Sequence, residues 1–510
     1  MGERVVSPHR RRRHKRSNVL PSRARKVTLA VGFHVNDTLA MLIPAPVEAS
    51  SLPTLSGVFA PVTEEHEATE LSVRGEIPAD LRGAYLRNGP NPLYPPLGSY
   101  SFPFEGDGML HGIWVDDEGR ARYRNRIVWT PYARLERDAG KALWAGIMTP
   151  YLPGPDTVPE PYANTFKQSA FINIIHHGGR WLALSEVDPP REVSAELESV
   201  GDSRFTWGGR IEGMCAHPRI DPATGEMVIF RYNLVEPYLI WATIAADGTV
   251  ARGPEPIEVD ACYMIHDFVI TAKYAVFFVA PVVFDLDALV TGSGPVLAWK
   301  PDLPMRIAVV PRTDPSTGPR WFETDPFWAF HFANAFEDGD DIVVDFSKFA
   351  FFALGPAPDQ SGAVTRIRIN LTTGAASSTT FDDRLTEFPR IDDRLQGARH
   401  RHFTVSAKDS GLGMGVFNVL MRFDAETGRV EEWNSGDYVF DEVVFAPAEG
   451  SISEVGYYVT FRTDQKTLVS DWVVLDAQDI AAGPIATVEL PFRVPLGLHG
   501  NWFGCSELGR

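Results

Sequence analysis

Four of the chain's thirteen histidines share a setting suited to binding a metal. They are His217 in "CAHPR", His266 in "YMIHDFVI", His331 in "WAFHFANAF" and His499 in "LGLHGNWF". Each adjoins an apolar, strand-like run or a turn, and none directly follows a carboxylate. Neutral imidazole binds iron, copper, nickel and zinc, and four such rings add no charge to a divalent ion. Four nitrogens leave one or two positions of an octahedral site open, where dioxygen can bind. Taken singly, each of these residues reads more readily as a satisfied core histidine than as a ligand. Separations of 49, 65 and 168 residues are too long for a zinc finger or a helical HExxH pair. They suit one histidine on each of four repeated sheets of roughly 60 residues.

The other histidines read differently. His9 and His14 lie in a basic tail, and His34 and His66 in irregular N-terminal context. His176 and His177 mark a hairpin turn, and His400 and His402 in "GARHRHF" read as a solvated basic loop. His111 is a metal candidate by type only and reads as structural or pocket-adjacent.

The elements that must carry the four rings are strands. Runs such as "MVIFRYNL", "DFVITAKYAVFFVAPV", "TRIRINL" and "VGYYVTFR" are rich in Val, Ile, Phe and Tyr and bounded by Gly, Pro, Asp and Asn. Asp221 to Gly225, Asn370 to Gly374 and Asp424 to Gly428 repeat one turn chemistry: Asp or Asn opens and Gly closes at positive φ. Repeated hairpins predict an all-β fold, a radially repeated β-propeller, with two β-sandwiches as the alternative. Residues 132–148 carry apolar residues at helical spacing and predict one short surface helix. After residue 50 no interdomain linker is visible, so the chain divides into an extension over 1–50 and one domain over 51–510.

Charge limits the partners. Residues 1–26 hold ten Lys or Arg against one acid, so of the total −18 a charge of −27 falls on the rest. That field repels phosphate, which excludes nucleic acid as a partner of the main domain. The basic head reads as a disordered tail. Polar residues His34, Asn36 and Asp37 interrupt the apolar run behind it, so it does not match a signal peptide. Three cysteines without a CxxC pair suit a reducing compartment, and a cytoplasmic location is expected.

Six motifs occur in order: "YLRNGPNP" (85–92), "FEGDGMLHG" (104–112), "AHPR", "IHDF", "FHFANAFE" and "GLHGNWF". Together they resemble the carotenoid cleavage oxygenase family from about residue 52 to 504. The resemblance implies a seven-bladed β-propeller with Fe(II) on its axis and a few short helices and loops capping one face. It implies that His217, His266, His331 and His499 hold the iron, and that Glu186, Glu387 and Glu442 orient three of them from behind. A carboxylate on the free Nδ1–H of a bound imidazole fixes the ring and strengthens it as a donor.

The implied reaction is cleavage of a carbon–carbon double bond with dioxygen to give two carbonyl products. It demands no general acid or base, and none is assigned. The substrate is expected to be a carotenoid or apocarotenoid in a long apolar pocket. Phe102, Phe104, Trp328, Phe330 and Phe332 are candidates to line it, each with ordinary core packing as the alternative. Many members carry an "ANT" whose threonine lies near the open metal position; in the frame of "HHGGRWLAL" Ile172 stands there, and the "ANT" at 163–165 comes seven residues too early. Stilbenoid-cleaving members anchor a phenol with a tyrosine and a lysine. The matching positions are Ile127 and Lys167, and an isoleucine cannot make its half of that clamp. Stilbenoid cleavage is therefore the alternative, with a metal-dependent isomerase or hydrolase and a non-catalytic binding propeller as further rivals. The stretch 280–299 is a candidate rim for peripheral membrane contact, with a buried strand and Gly-rich loop as the alternative.

Overall fold

The expected turns close as their residue types require. Asp221 Oδ1 accepts from Ala223 N, Asn370 Oδ1 from Thr372 N and Thr373 N, and Asp424 Oδ1 from Glu426 N and Thr427 N. Gly225, Gly374 and Gly428 then take φ values of 71°, 79° and 73°. A fourth turn has the same form. Asp464 Oδ1 accepts from Lys466 N and Thr467 N, and Leu468 occupies the left-handed position at φ 58°. Without a glycine there, this turn was not legible in the sequence.

The computed structural model describes residues 43–509, apart from 150, 202–203, 286–295, 315–316, 355–356, 358–359 and 410–415. The basic extension expected over 1–50 falls mostly outside them. The hairpins assemble into seven antiparallel blades. Blade I holds Gly83–Arg87, Met109–Val115, Ala121–Ile127 and Glu67–Ala68. Blade II holds Asn173–His177, Arg180–Leu184 and Arg191–Val193. Blade III runs from Arg219–Ile220 to Val250–Pro256, and blade IV from Phe268–Ile270 to Arg320–Thr324. Blade V runs from Phe332–Asp338 to Ala376–Asp382, blade VI from Thr386–Arg390 to Val430–Asn434, and blade VII from Tyr438–Phe440 to Pro484–Glu489. A separate two-stranded sheet, Val282–Phe284 with Leu297–Trp299, projects from blade IV.

Both ends of this unit close the ring. Gly500–Gly504 pairs with Gly83–Arg87 as the first strand of blade I, and Val73–Gly75 pairs with Pro484–Glu489 as the last strand of blade VII. The first strands of neighbouring blades touch one another, as Phe268–Ile270 touches Phe332–Asp338 and Val444–Pro447 touches Gly500–Gly504. A closed ring leaves only short outer edges unpaired.

The core lies between blades. Phe230, Phe268 and Phe277 pack where blade III meets blade IV, and Phe278, Phe332 and Phe346 where blade IV meets blade V. Middle strands are buried on both faces, which is why Tyr274–Val279 reads "YAVFFV" without alternation, whereas the outermost strand Ala376–Asp382 reads "ASSTTFD" and is largely exposed.

Two expectations are corrected. The helix read over 132–148 is Pro131–Ala139. Thr130 caps its start by accepting from Ala133 N at 3.1 Å, and Gly140 ends it in the left-handed region at φ 64°. His400 is not in a solvated loop. It is buried, with Nε2 3.0 Å from Asp345 Oδ2, beside a buried carboxylate whose hydrogen bonds come from Arg366 Nε and Nη2. His402 opens the strand His402–Ala407 beside Glu454.

Candidate metal centre

Each blade delivers one residue of the predicted set to the axis. His217 lies two residues before the first strand of blade III, and His266 two before that of blade IV. His331 and His499 directly precede Phe332–Asp338 and Gly500–Gly504. Glu186 follows the strand Arg180–Leu184 of blade II, Glu387 lies within Thr386–Arg390 of blade VI, and Glu442 sits between Tyr438–Phe440 and Val444–Pro447 of blade VII. Entry points of first strands surround the axis, so residues far apart in sequence converge there.

The four imidazoles face a common centre. His217 Nε2 is 3.1 Å from His266 Nε2, which is 3.2 Å from His331 Nε2. His499 lies within ring contact of His217 at 4.5 Å and of His331 at 4.6 Å. The opposite nitrogens meet carboxylates: His266 Nδ1 and Glu186 Oε2 at 2.5 Å, His331 Nδ1 and Glu387 Oε2 at 2.5 Å, His499 Nδ1 and Glu442 Oε1 at 3.0 Å.

This arrangement tests whether a metal fits. An ionised carboxylate only accepts, so each of three rings must carry its proton on Nδ1 and turn an Nε2 lone pair toward the centre. Lone pairs 3.2 Å apart repel unless a cation lies among them. Typical metal–imidazole bonds of about 2.1 Å place neighbouring nitrogens about 3 Å apart. The donor set therefore fits a transition-metal ion.

Electrostatics favour the neutral, ligating form for two of the rings and oppose it for a third. Burial, with the neighbouring histidines and Arg219, holds the His217 pKa well below the usual imidazole range. Burial also lowers His499, outweighing the attraction of Glu442. For His266 burial is outweighed by Glu186, and its pKa is raised. Burial opposes ionisation of Glu442, but Arg390, His499 and the Gly500 N–H overcome it and hold its pKa down to about 2.

The carboxylates are held in three different ways. Tyr232 Oη donates to Glu186 Oε1. Arg390 Nη1 donates to Glu442 Oε2 at 2.9 Å and Gly500 N to the same oxygen at 3.0 Å. Glu387 Oε2 accepts from the backbone N–H of Phe388 at 2.6 Å, while its buried Oε1 has no protein partner. Val187 and Phe388, the residues after Glu186 and Glu387, both take left-handed φ, at 60° and 52°. Such backbone costs on the order of 1 kcal/mol or more and recurs where a site constrains it.

Sequence reasoning did not find Tyr232, Arg390 or Phe388. Arg390 lies three residues after Glu387 and reads as its neighbour, yet it pairs with Glu442 from the next blade. Phe388 stacks on His331 at 5.7 Å and meets His499 edge-on at 5.4 Å.

The predicted pocket residues divide. Phe330 lies 5.7 Å from the His266 ring and 5.9 Å from Phe104, and Trp328 packs edge-on against Phe330 at 5.1 Å. Ile172 clusters with Phe171, Ala216, Phe388 and Leu498, and its carbonyl accepts from His499 N at 3.2 Å. Phe332 is core: the strand turns its ring away from His331 to stack on Phe278 at 4.5 Å. Phe102 packs against Phe59 beside Val58 and Leu496, a cluster apart from the four rings. Ile127 ends a blade I strand opposite Met109. Lys167 is not a free phenol anchor, because its Nζ is bound by Asp107 Oδ1 at 2.7 Å and Glu136 Oε2 at 2.6 Å. The "ANT" at 163–165 packs beside the helix, where Thr165 O accepts from Trp144 Nε1 at 3.0 Å. His111 also lies elsewhere, with Nδ1 2.7 Å from Tyr123 Oη.

Comparison with known proteins gives the family. A family model described as RPE65, retinal pigment epithelial membrane protein, matches residues 59–504. The chain belongs to the carotenoid cleavage oxygenase family. It is 33% identical over 517 residues to a carotenoid cleavage oxygenase of Mycobacterium tuberculosis, covering 90% of this chain and 99% of that one. It is 31% identical over 504 residues to carotenoid 9,10(9',10')-cleavage dioxygenase 1 of Arabidopsis thaliana, covering 91% and 92%. The crystal structure of Pseudomonas brassicacearum lignostilbene dioxygenase superposes with a TM-score of 0.82 at 29% identity, covering 91% of this chain and all of that one. Among the described residues no helix is long and apolar enough to cross a membrane.

Proposed function

We propose that this protein is a non-haem Fe(II) dioxygenase that cleaves a carbon–carbon double bond of a carotenoid or apocarotenoid with dioxygen to give two carbonyl products. The observation that carries the reading is the convergence of Nε2 atoms, 3.1–3.2 Å apart along His217, His266 and His331. His217, His266, His331 and His499 would hold the ion, and Glu186, Glu387 and Glu442 would orient three of the rings. Bound Fe(II) supplies the coordination site and redox chemistry for dioxygen.

The remaining work belongs to the chain. Phe171, Ile172, Phe388 and Leu498 form an apolar wall beside the ligands that excludes water. Phe330 and Phe104 extend an aromatic surface outward from His266, suited to a polyene with few polar handles. Three free cysteines, two of them buried, support a reducing, cytoplasmic setting. Of the stretch read as a membrane rim, 286–295 lie outside the described residues, and the flanking strands pair with each other. Peripheral membrane contact for substrate uptake stays part of the proposal.

Stilbenoid cleavage is the second reading, favoured by the likeness to the lignostilbene dioxygenase. Against it, Lys167 is engaged by two carboxylates and Ile127 offers no hydroxyl. Aerobic incubation of iron-loaded protein with carotenoids, apocarotenoids and stilbenes decides between them, with oxygen consumption and mass spectrometry of carbonyl products as readouts. Aldehyde or ketone pairs from polyenes are expected. Products from stilbenes alone would establish the second reading. Substrate isomerised without oxygen uptake, or no turnover by iron-loaded protein, would overturn both.

A further inference from the structure

The Tyr232 side chain joins three parts of the molecule. It ends the blade III strand Met227–Tyr232, and its ring packs against Phe284 at 5.6 Å, in the two-stranded sheet beside blade IV. Its hydroxyl donates to Glu186 Oε1, and the other oxygen of that carboxylate binds His266 Nδ1. The two remaining carboxylates are held by an arginine and by a backbone amide. Glu186 comes from blade II and His266 from blade IV, so the pair bridges across blade III, the blade that carries Tyr232.

We propose that Tyr232 is a positioning residue of the metal centre: its hydroxyl fixes the Glu186 carboxylate in the one rotamer that bonds His266 Nδ1, and so sets the aim and donor strength of that ligand. This rests on the metal reading above.

The physical case has two parts. A glutamate side chain has three torsions, and a single bond to an imidazole leaves the carboxylate free to rotate about its axis. A second bond, to the other oxygen, removes that freedom. Burial and the Glu186 charge together raise the Tyr232 pKa well above the usual phenol range, so the hydroxyl keeps its proton and donates. A charged donor in its place, as Arg390 is for Glu442, would draw charge away from the carboxylate. A neutral phenol orients Glu186 and leaves more of its charge to act on His266.

Tyr232→Phe removes the hydroxyl and keeps the ring against Phe284. Anaerobic Fe(II) affinity, measured by chelator competition, is compared for wild type, Tyr232→Phe, Glu186→Gln and the double variant. Tyr123→Phe is the control, since it also deletes a buried phenol hydroxyl, one bonded to His111 instead. Tyr232→Phe should weaken iron binding by roughly 10-fold, the low end for outer-shell partners of a ligand. It should also shift the visible absorption of the cobalt(II)-loaded protein, and Tyr123→Phe should do neither. The double variant should bind iron no worse than Glu186→Gln, because the hydroxyl acts only through that carboxylate. Wild-type affinity in Tyr232→Phe, a full additional loss in the double variant, or an equal loss in Tyr123→Phe would overturn the inference while leaving the metal site standing. Wild-type protein that binds no iron would overturn the metal reading itself, and this inference with it.

Discussion

The Nε2 atoms of His266 and His331 lie 3.2 Å apart, and each ring has its Nδ1 2.5 Å from a carboxylate. With both rings neutral and their protons on Nδ1, two such nitrogens have no proton to share. Their closeness is stable only with a cation among them, and the consequences are measurable.

Replacing His331 with alanine deletes one proposed ligand and strands Glu387. Iron occupancy by elemental analysis should fall to a small fraction of wild type, and oxygen consumption with a cleavable polyene should be abolished. Full iron content with retained turnover would show that His331 is not a ligand.

Glu387→Gln keeps the shape of the side chain and removes its charge. Iron affinity should weaken by roughly 10–100-fold in chelator competition. Folding should be nearly unchanged, because the amide oxygen still accepts from His331.

Lys167 is the counter-charge of Asp107 and Glu136, both buried. Lys167→Met leaves two uncompensated carboxylates and should cost about 3–5 kcal/mol in urea unfolding. Iron content of the folded fraction should match wild type. A change in stilbene turnover without loss of stability would instead support the clamp role.

Several buried groups make the stability of the apoprotein depend on pH. His217 and His499 are held below the usual imidazole range, so the unfolded chain binds more protons than the native one as pH falls through about 6.5, and stability declines. His266 is raised and opposes this, since its contribution is present below about 6.5 and lost as pH rises through its folded value. Burial raises Asp188 and Asp441 to about 7, and these carboxylates act in the same sense as His266, favouring the native state as pH falls below 7. Glu442, lowered from 4.5 to about 2, contributes about 3 kcal/mol above pH 4.5 that disappears as pH falls toward 2. Glu442→Gln removes that contribution, so its cost in urea midpoint relative to wild-type apoprotein should be smaller at pH 3 than at pH 5.5; an equal cost at both would mean that the fold does not hold the Glu442 charge.

Much of the fold and of the centre was legible in the residues. The Asp-x-x-x-Gly turns and the β-rich runs indicated repeated hairpins, because Asn, Asp and Gly act on their own backbone within a few residues. Leu468 hid the fourth such turn, since only its tertiary setting holds a leucine at positive φ. Gly140 stopped the helix that apolar spacing carried to 148, because a left-handed residue ends the hydrogen-bond ladder whatever periodicity follows.

Residue type and spacing singled out the four histidines and the family resemblance added the three glutamates, since imidazole and carboxylate chemistry belongs to the side chain wherever the chain puts it. Which glutamate serves which histidine, and what holds each glutamate, was decided only by closing seven blades on one axis. Arg390 sits three residues from Glu387 and serves Glu442; Lys167 neutralises two carboxylates from 31 and 60 positions away; Phe332 and Phe330 flank one ligand and face opposite ways. Local sequence sets what a side chain can do. Its partners are set by which strands end at the same point in space, and that is a property of the closed ring.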